Sequence, residues 1–250
     1  MIIAQISDTH IDLDSPKGAA RLGDFERCVA AIGRLKPLPD VVIHTGDIAH
    51  NGTPAEYKAA RRILDALRCP FHVAVGNRDD RATLRTAFPI ENDLLPDTPY
   101  VQYCVDSFPV RLIVLDTQSK GSNQGELCQA RTDNLRAALA EAPAKPTAIF
   151  MHHPPFEVHE SDYPVQFGAW ESVERLRRAL DGQQHVAGIF CGHTHRDAVG
   201  DVGGVPASSM PSVAVEMRLG RYPAEFRSSP ICKVHRFAAG RGFVSEIRAV

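Results

Sequence analysis

No apolar run in these 250 residues is long enough to cross a bilayer; stretches such as Val41–Ile43 and Ala148–Met151 cover a fraction of the length a spanning helix needs. The first residues, Met1-Ile2-Ile3-Ala4-Gln5-Ile6-Ser7, lack the basic segment and small-residue cleavage site of a secretory signal. An excess of one charge is also missing, since 28 Lys+Arg against 30 Asp+Glu leave a net charge of −2. That balance, without any dense Lys/Arg cluster, speaks against nucleic acid or an anionic membrane as partner. The six cysteines, at positions 28, 69, 104, 128, 191 and 232, form no CxxC pair. Neither a zinc-thiolate site nor a disulfide framework is expected from that spacing, and all six read as small buried apolar residues. Linkers, repeats and low-complexity stretches are absent too. The expectation is one soluble, cytoplasmic domain over residues 1–250.

What is present is an alternation. Ile2–Ser7, Val41–Thr45, Phe71–Val75, Leu112–Leu115, Ala148–Met151 and Val186–Cys191 are apolar, bounded by turn residues, and read as strands buried on both faces. Between them, Ala19–Leu35, Pro54–Leu67, Glu126–Glu141 and Val165–Leu180 carry helical spacing. Thr53-Pro54-Ala55-Glu56 is a good helix start, with a capping hydroxyl, Pro in the first turn and an acid three residues on. The fold class is therefore α/β with crossover connections. After Cys191, Ala198–Met217 and Ile231–Ala249 look strand-rich with no helix between them, which predicts a second sheet closing the fold.

Five of the predicted strand ends carry metal-ligand chemistry: Asp8-Thr9-His10, Gly46-Asp47, Gly76-Asn77, His152-His153-Pro154-Pro155 and Gly192-His193-Thr194-His195. Strand ends that meet on one side of an open α/β sheet form a crevice where distant residues converge. Asp8, Asp47 and Asn77 offer oxygens; His10, His152, His193 and His195 offer imidazole nitrogens. A mixed N/O set without sulfur suits Mn, Fe, Co or Zn better than a Ca or Mg cage. Seven such groups, one carboxylate bridging, suffice for two adjacent ions. Glycines 46, 76 and 192 read as sharp exits from the strands, a residue without Cβ letting the next side chain turn back toward the ions. Each fragment alone is commonly just a turn or a loop. Gly-His-x-His is stronger, because imidazoles two apart in an extended segment share a face.

Taken together, Asp8-x-His10, Gly46-Asp47, Gly76-Asn77, His152 and Gly192-His193-x-His195 resemble the signature of the calcineurin-like metallophosphoesterases. Within that superfamily the chain is most similar to the bacterial class III cyclic-nucleotide phosphodiesterases and the related glycerophosphodiesterases, over roughly its first 195 residues. The resemblance implies two packed mixed β-sheets flanked by helices, a four-layer αββα sandwich. It also implies that Asp8, His10, Asp47 and His195 hold one metal, and Asp47, Asn77, His152 and His193 the other. The implied activity is hydrolysis of cyclic nucleotides or small phosphodiesters by hydroxide generated on two metals about 3.5–4 Å apart. A phosphomonoesterase on the same scaffold, or a protein that kept the fold and lost catalysis, are the alternatives.

One position departs from the pattern: where the family usually has His after the Asn, this chain has Arg78. A guanidinium stays protonated and is a poor general acid, but it can clamp a phosphate oxygen; a surface ion pair with Asp79 or Asp80 is the plainer reading. His153 is then the candidate for the missing imidazole. His44 reads as a core histidine, and His50 as either a crevice-lining group or a turn residue. His235 has no evident partner. Asp116 is a candidate support for a histidine ligand, and Phe167 and Trp170 read as helix-packing residues. The apolar stretch Met210–Pro230 could pack against a second copy, making a homo-oligomer.

Overall fold

The computed structural model describes residues 1–90 and 93–249. Strands β1 (Ile2–Ile6), β2 (Val41–His44) and β3 (Phe71–Val73) run parallel, joined through helices α1 (Gly18–Ile32) and α2 (Pro54–Leu64). Helix α3 (Arg81–Ala87) follows. The second half begins with β4 (Tyr103–Val105), antiparallel to β5 (Arg111–Val114). It continues through α4 (Gln129–Glu141), β6 (Thr147–Phe150), α5 (Trp170–Leu180) and β7 (Val186–Cys191), with β5, β6 and β7 parallel.

Strand alternation builds four layers from this order. Phe25, Cys28 and Val29 of α1 and Tyr57, Ala60 and Ile63 of α2 share a core with the first sheet and with Leu112, Val114 and Phe150 of the second. The intervening residues Ile113, Ile149 and Ile189 turn the other way, onto Leu135 and Leu139 of α4 and Val173 and Leu176 of α5. The architecture is thus two mixed sheets flanked by helices, in the order β11 (Gly242–Ala249)-β10 (Ile231–Ala238)-β1-β2-β3 and β4-β5-β6-β7-β9 (Val205–Ser209)-β8 (Ala198–Val202).

The tail departs from the sequence expectation. Its strands form no sheet of their own. The hairpin β8 (Ala198–Val202) and β9 (Val205–Ser209) extends the second sheet beside β7, while β10 (Ile231–Ala238) and β11 (Gly242–Ala249) extend the first beside β1. The second sheet is built mainly from central strands that alternation alone could not divide between two layers. A 3-10 turn (Val215–Met217) and the short helix α6 (Ala224–Arg227) lie between the two hairpins, where no helix was expected.

Helix limits shift for local reasons. α2 starts as its sequence dictates: Thr53 Oγ1 accepts from Glu56 N at 3.3 Å and Glu56 Oε2 accepts from Thr53 N at 2.9 Å. α5 begins at Trp170 instead of Val165, because Phe167 bridges to Gly125 and the Gln166 carbonyl accepts the Gly125 N–H. Phe167 packs on His153 (ring centroids 6.1 Å apart) from this bridge, not from a helix. Cys28, Cys104, Cys191 and Cys232 are buried as expected, but Cys69 and Cys128 are only half-buried.

His235, fully buried on β10, does have partners: Ser245 Oγ at 2.7 Å and Gln5 Oε1 at 3.0 Å. Burial, reinforced by the Lys233 charge, holds its pKa well below the ordinary value. The unfolded chain takes up a proton near pH 6.5 that the folded ring refuses, so stability present above that pH declines as the pH falls below it. In urea titrations between pH 7 and pH 5, His235→Gln is expected to flatten this decline by up to about 1.4 kcal/mol per pH unit. A slope identical to that of the parent would show that the folded ring accepts the proton.

Candidate metal centre

Backbone hydrogen bonds draw the strand ends together before any side chain is considered. Asp8 N donates to the Gly46 carbonyl at 3.0 Å, His10 N to the Asp47 carbonyl at 3.0 Å, and Gly192 N to the His152 carbonyl at 3.0 Å. The glycines pack these turns closely. A Cβ on Gly192 would lie 1.9 Å from Ser7 Oγ, and one on Gly76 would lie 2.2 Å from the Asp47 backbone nitrogen. Of the three, only Gly46 has a positive φ, at 97°, so the sharp-exit reading holds there and close packing replaces it at the other two. The left-handed backbone falls instead on Asp8, His10, Asp47, His193 and His195, with φ between 42° and 71°; no other non-glycine residue among those described shares it. Such conformations are uncommon outside glycine and concentrate at functional sites.

The side chains converge in two clusters. In one, His10 Nε2 is 3.1 Å from His195 Nε2, and His195 Nε2 is 3.4 Å from Asp8 Oδ1. In the other, Asn77 Oδ1 is 3.0 Å from His152 Nε2 and 2.9 Å from His193 Nδ1. Asp47 Oδ2 lies 3.5 Å from His10 Nε2 and 3.5 Å from His152 Nε2, joining the clusters. Donor atoms about 2.0–2.2 Å from a shared ion stand about 3–3.5 Å from one another, so these separations suit metal coordination. The carriers are aimed accordingly. His152 Nδ1–H donates to the Thr45 carbonyl at 2.8 Å and His195 Nδ1–H to the Met217 carbonyl at 2.9 Å, leaving each Nε2 facing inward. Imidazoles that ligate metals are oriented by such outer hydrogen bonds.

Electrostatics agree with a site made for positive charge. Burial pushes the Asp8 pKa upward, yet His195 and His152 override it and hold it at about 2; burial likewise opposes and His152 and His10 overcome it at Asp47, which sits well below the carboxylate range. Burial disfavours a charged His152, but Asp47 and Asp8 bring its pKa to about 9. For His10 and His193, burial prevails over the same carboxylates and lowers them to about 4 and about 3. Two buried carboxylates thus hold cationic imidazoles where cations could be held instead.

His153 lies against the second cluster, with a ring nitrogen within 4.8 Å of ligand atoms of His152 and His193. Its ring is buried, with the centroid 4.4 Å from that of His193, while Nδ1 accepts from Thr117 Oγ1 at 2.9 Å and Nε2–H donates to the Asn123 carbonyl at 3.2 Å. Arg78 is exposed and its guanidinium has no ion pair or hydrogen bond among the described residues. Its backbone N–H donates to Asp47 Oδ1 at 2.8 Å. The expected pair with Asp79 does not form. That carboxylate is buried beneath the turns, accepting from Gly76 N at 2.8 Å, Ala49 N at 3.1 Å and Tyr57 Oη at 3.0 Å. Nothing in an Asn-Arg-Asp-Asp string distinguishes this acid from the exposed Asp80 beside it.

The neighbours sort themselves similarly. His44 is a satisfied core group, with Nε2 3.0 Å from Thr9 Oγ1. His50 is half-buried, edge-on to His10 with centroids 5.8 Å apart, its Nδ1 accepting from Arg21 at 3.4 Å. Asp116 supports arginines and no histidine: Arg81 binds it with two nitrogens at 2.7 and 2.9 Å. The start of the Met210–Pro230 stretch packs on this chain's own site, where Ser212 Oγ donates to the Asp8 carbonyl at 2.7 Å and Val213 N to the Ser7 carbonyl at 3.0 Å.

A sequence model described as calcineurin-like phosphoesterase matches residues 1–197. The chain is 36% identical to a probable glycerophosphodiester phosphodiesterase GpdQ of Arcobacter nitrofigilis, over 78% of this chain and 72% of that protein. It is 32% identical to the glycerophosphodiester phosphodiesterase GpdQ of Enterobacter lignolyticus, over 94% and 87%. A probable cyclic nucleotide phosphodiesterase of Rhodopseudomonas palustris is 32% identical over 80% and 74%. Among solved structures, purple acid phosphatase PPD1 from yellow lupin seeds shares the fold, with a TM-score of 0.63 and 14% identity over all of this chain and 53% of that one.

Proposed function

The chain belongs to the calcineurin-like phosphoesterase family, and from that premise we propose that it is a two-metal phosphodiesterase of small substrates such as glycerophosphodiesters or cyclic nucleotides. The observation that carries the reading is Asp47 Oδ2, equidistant at 3.5 Å from an imidazole of each cluster. Asp8, His10, Asp47 and His195 would hold one ion, and Asp47, Asn77, His152 and His193 the other. Mn, Fe, Zn or Co ions bound there would supply Lewis acidity at the phosphoryl oxygens and a water acidic enough to ionise near neutral pH. Relatives named for phosphodiester hydrolysis support a diester over a monoester substrate.

The chain's own residues divide the remaining work. Asp8 and Asp47 hold charge and orientation, since both carboxyls stay ionised. The unpaired Arg78 guanidinium, anchored through its backbone to Asp47, clamps a non-bridging phosphate oxygen. His153 acts as a positioning residue. It fixes the Asn123 backbone, and Asn123 Oδ1, 3.4 Å from Asn77 Nδ2, turns the Asn77 carbonyl oxygen inward. The six free cysteines suit a reducing, cytoplasmic setting; among the described residues no helix is long and apolar enough to cross a membrane.

Hydrolysis of bis-p-nitrophenyl phosphate, glycerophosphoethanolamine and 3′,5′-cyclic AMP, each with and without added Mn, tests the proposal against p-nitrophenyl phosphate. Metal-stimulated cleavage favouring the diesters is expected; a preference for the monoester would overturn it. Arg78→Ala should lower kcat/KM about 10²-fold, the scale of one lost transition-state donor. Arg78→His at the parent rate would remove Arg78 from the chemistry.

A further inference from the structure

The tail hairpins leave the flank of the sandwich open. Two cavities of about 440 and 430 Å³ lie there, meeting at Asp197 and Ile247, which line both. The first runs between the edge strands β8 and β11. Its apolar wall includes Phe190 and Phe243, edge-to-face at 5.1 Å, and Gly188 leaves them room, since a Cβ there would meet the Phe190 ring at 2.9 Å.

Its polar groups are unusually placed. Ser208, 8% exposed, lines the cavity with a buried hydroxyl that has no hydrogen-bond partner. Buried polar atoms are nearly always paired, so an orphan in a cavity wall points to a ligand group. Lys233 is buried beside it, donating to Asp197 Oδ1 at 2.8 Å and the Ser209 carbonyl at 2.9 Å. The second cavity repeats the pattern: Arg196 Nε is buried and unpartnered. Arg196, Arg221 and Arg241 make no ion pair among the described residues. Across the cleft four cationic side chains face only two anionic ones, Asp197 and Glu160, in a chain whose net charge is −2.

We propose that this flank cleft is a second ligand site, separate from the metal centre, for an organic anion with an apolar body. The body lies on Phe190 and Phe243, and the anionic head takes the Ser208 hydroxyl within the field of Lys233 and the arginines. Arg196 and Asp197 directly follow His195, which gives an occupant of the cleft a short covalent path to the centre. The inference does not depend on hydrolysis.

The dye 8-anilinonaphthalene-1-sulfonate has this chemistry and reports its own binding by fluorescence. Titrated into the metal-loaded protein, it should saturate at one per chain, with its uncharged relative N-phenyl-1-naphthylamine at least about tenfold weaker. Arg241→Glu and Arg221→Glu, both at exposed positions, should each weaken the dye about tenfold without moving Tm, and Ser208→Ala should weaken it less. Asp47→Asn protein should bind it unchanged. Unsaturable binding, equal affinity for the neutral dye, indifference to both charge reversals, or loss in the Asp47→Asn protein would each overturn the proposal.

Discussion

Asp47→Asn and Asp47→Ala are both expected to cut turnover of bis-p-nitrophenyl phosphate by at least about 10³-fold, more than one transition-state donor supplies. Both should also leave the purified protein short of metal. Among the described residues Asp47 is the one side chain within 3.5 Å of an imidazole of each cluster, and Asn keeps its shape while removing the charge that gathers His152 and His10 around it. Asn77→Ala acts on one cluster only and should deplete a single ion. Elemental analysis alongside kinetics separates the possibilities. Full occupancy of both sites in a dead Asp47→Asn protein would mean that the carboxylate acts in the chemistry and not in holding cations.

Asp116→Ala should cost about 3–5 kcal/mol of stability, the scale for stripping one partner from a buried ion pair. The carboxylate is fully buried and accepts from Arg81 twice, from Val101 N at 2.8 Å, from Gln118 N at 2.9 Å and from Arg131 at 3.5 Å. Arg131 is itself only 1% exposed and would keep only the exposed Glu126 carboxylate, 3.6 Å away, as counter-charge. Gln118 extends the consequence to the site, because its amide donates to the Gly76 and Asp79 carbonyls on either side of Asn77. Urea unfolding gives the energy, and metal content reports the coupling. A loss under about 1 kcal/mol would show that both arginines find other partners.

The strand-end residues were legible because fragments that are ordinary turns when alone recur at the ends of five apolar runs. Helix α2 was legible from its own start, Thr53 and Glu56 writing its cap into the chain. Non-local pairing was not. Whether β9 lies beside β7, or β10 beside β1, depends on a register that no local pattern encodes. Asp79 reads in the sequence as half of a surface pair and Asp116 as support for a histidine, because a buried acid and a surface acid look alike in a string; only the backbone N–H groups and arginines that surround them tell the two apart. Short elements such as β4 and α3 carry too few residues to show a period.

The turns that present Asp8, His10, Asp47, His193 and His195 hold each of them in a conformation glycine would occupy more comfortably, at a cost of order 1 kcal/mol apiece. Drift toward glycine at these five places would therefore relax the backbone as it erased the ligands. In a descendant lineage released from the need to cleave its substrate, the strain in these five turns would no longer have a reason to persist.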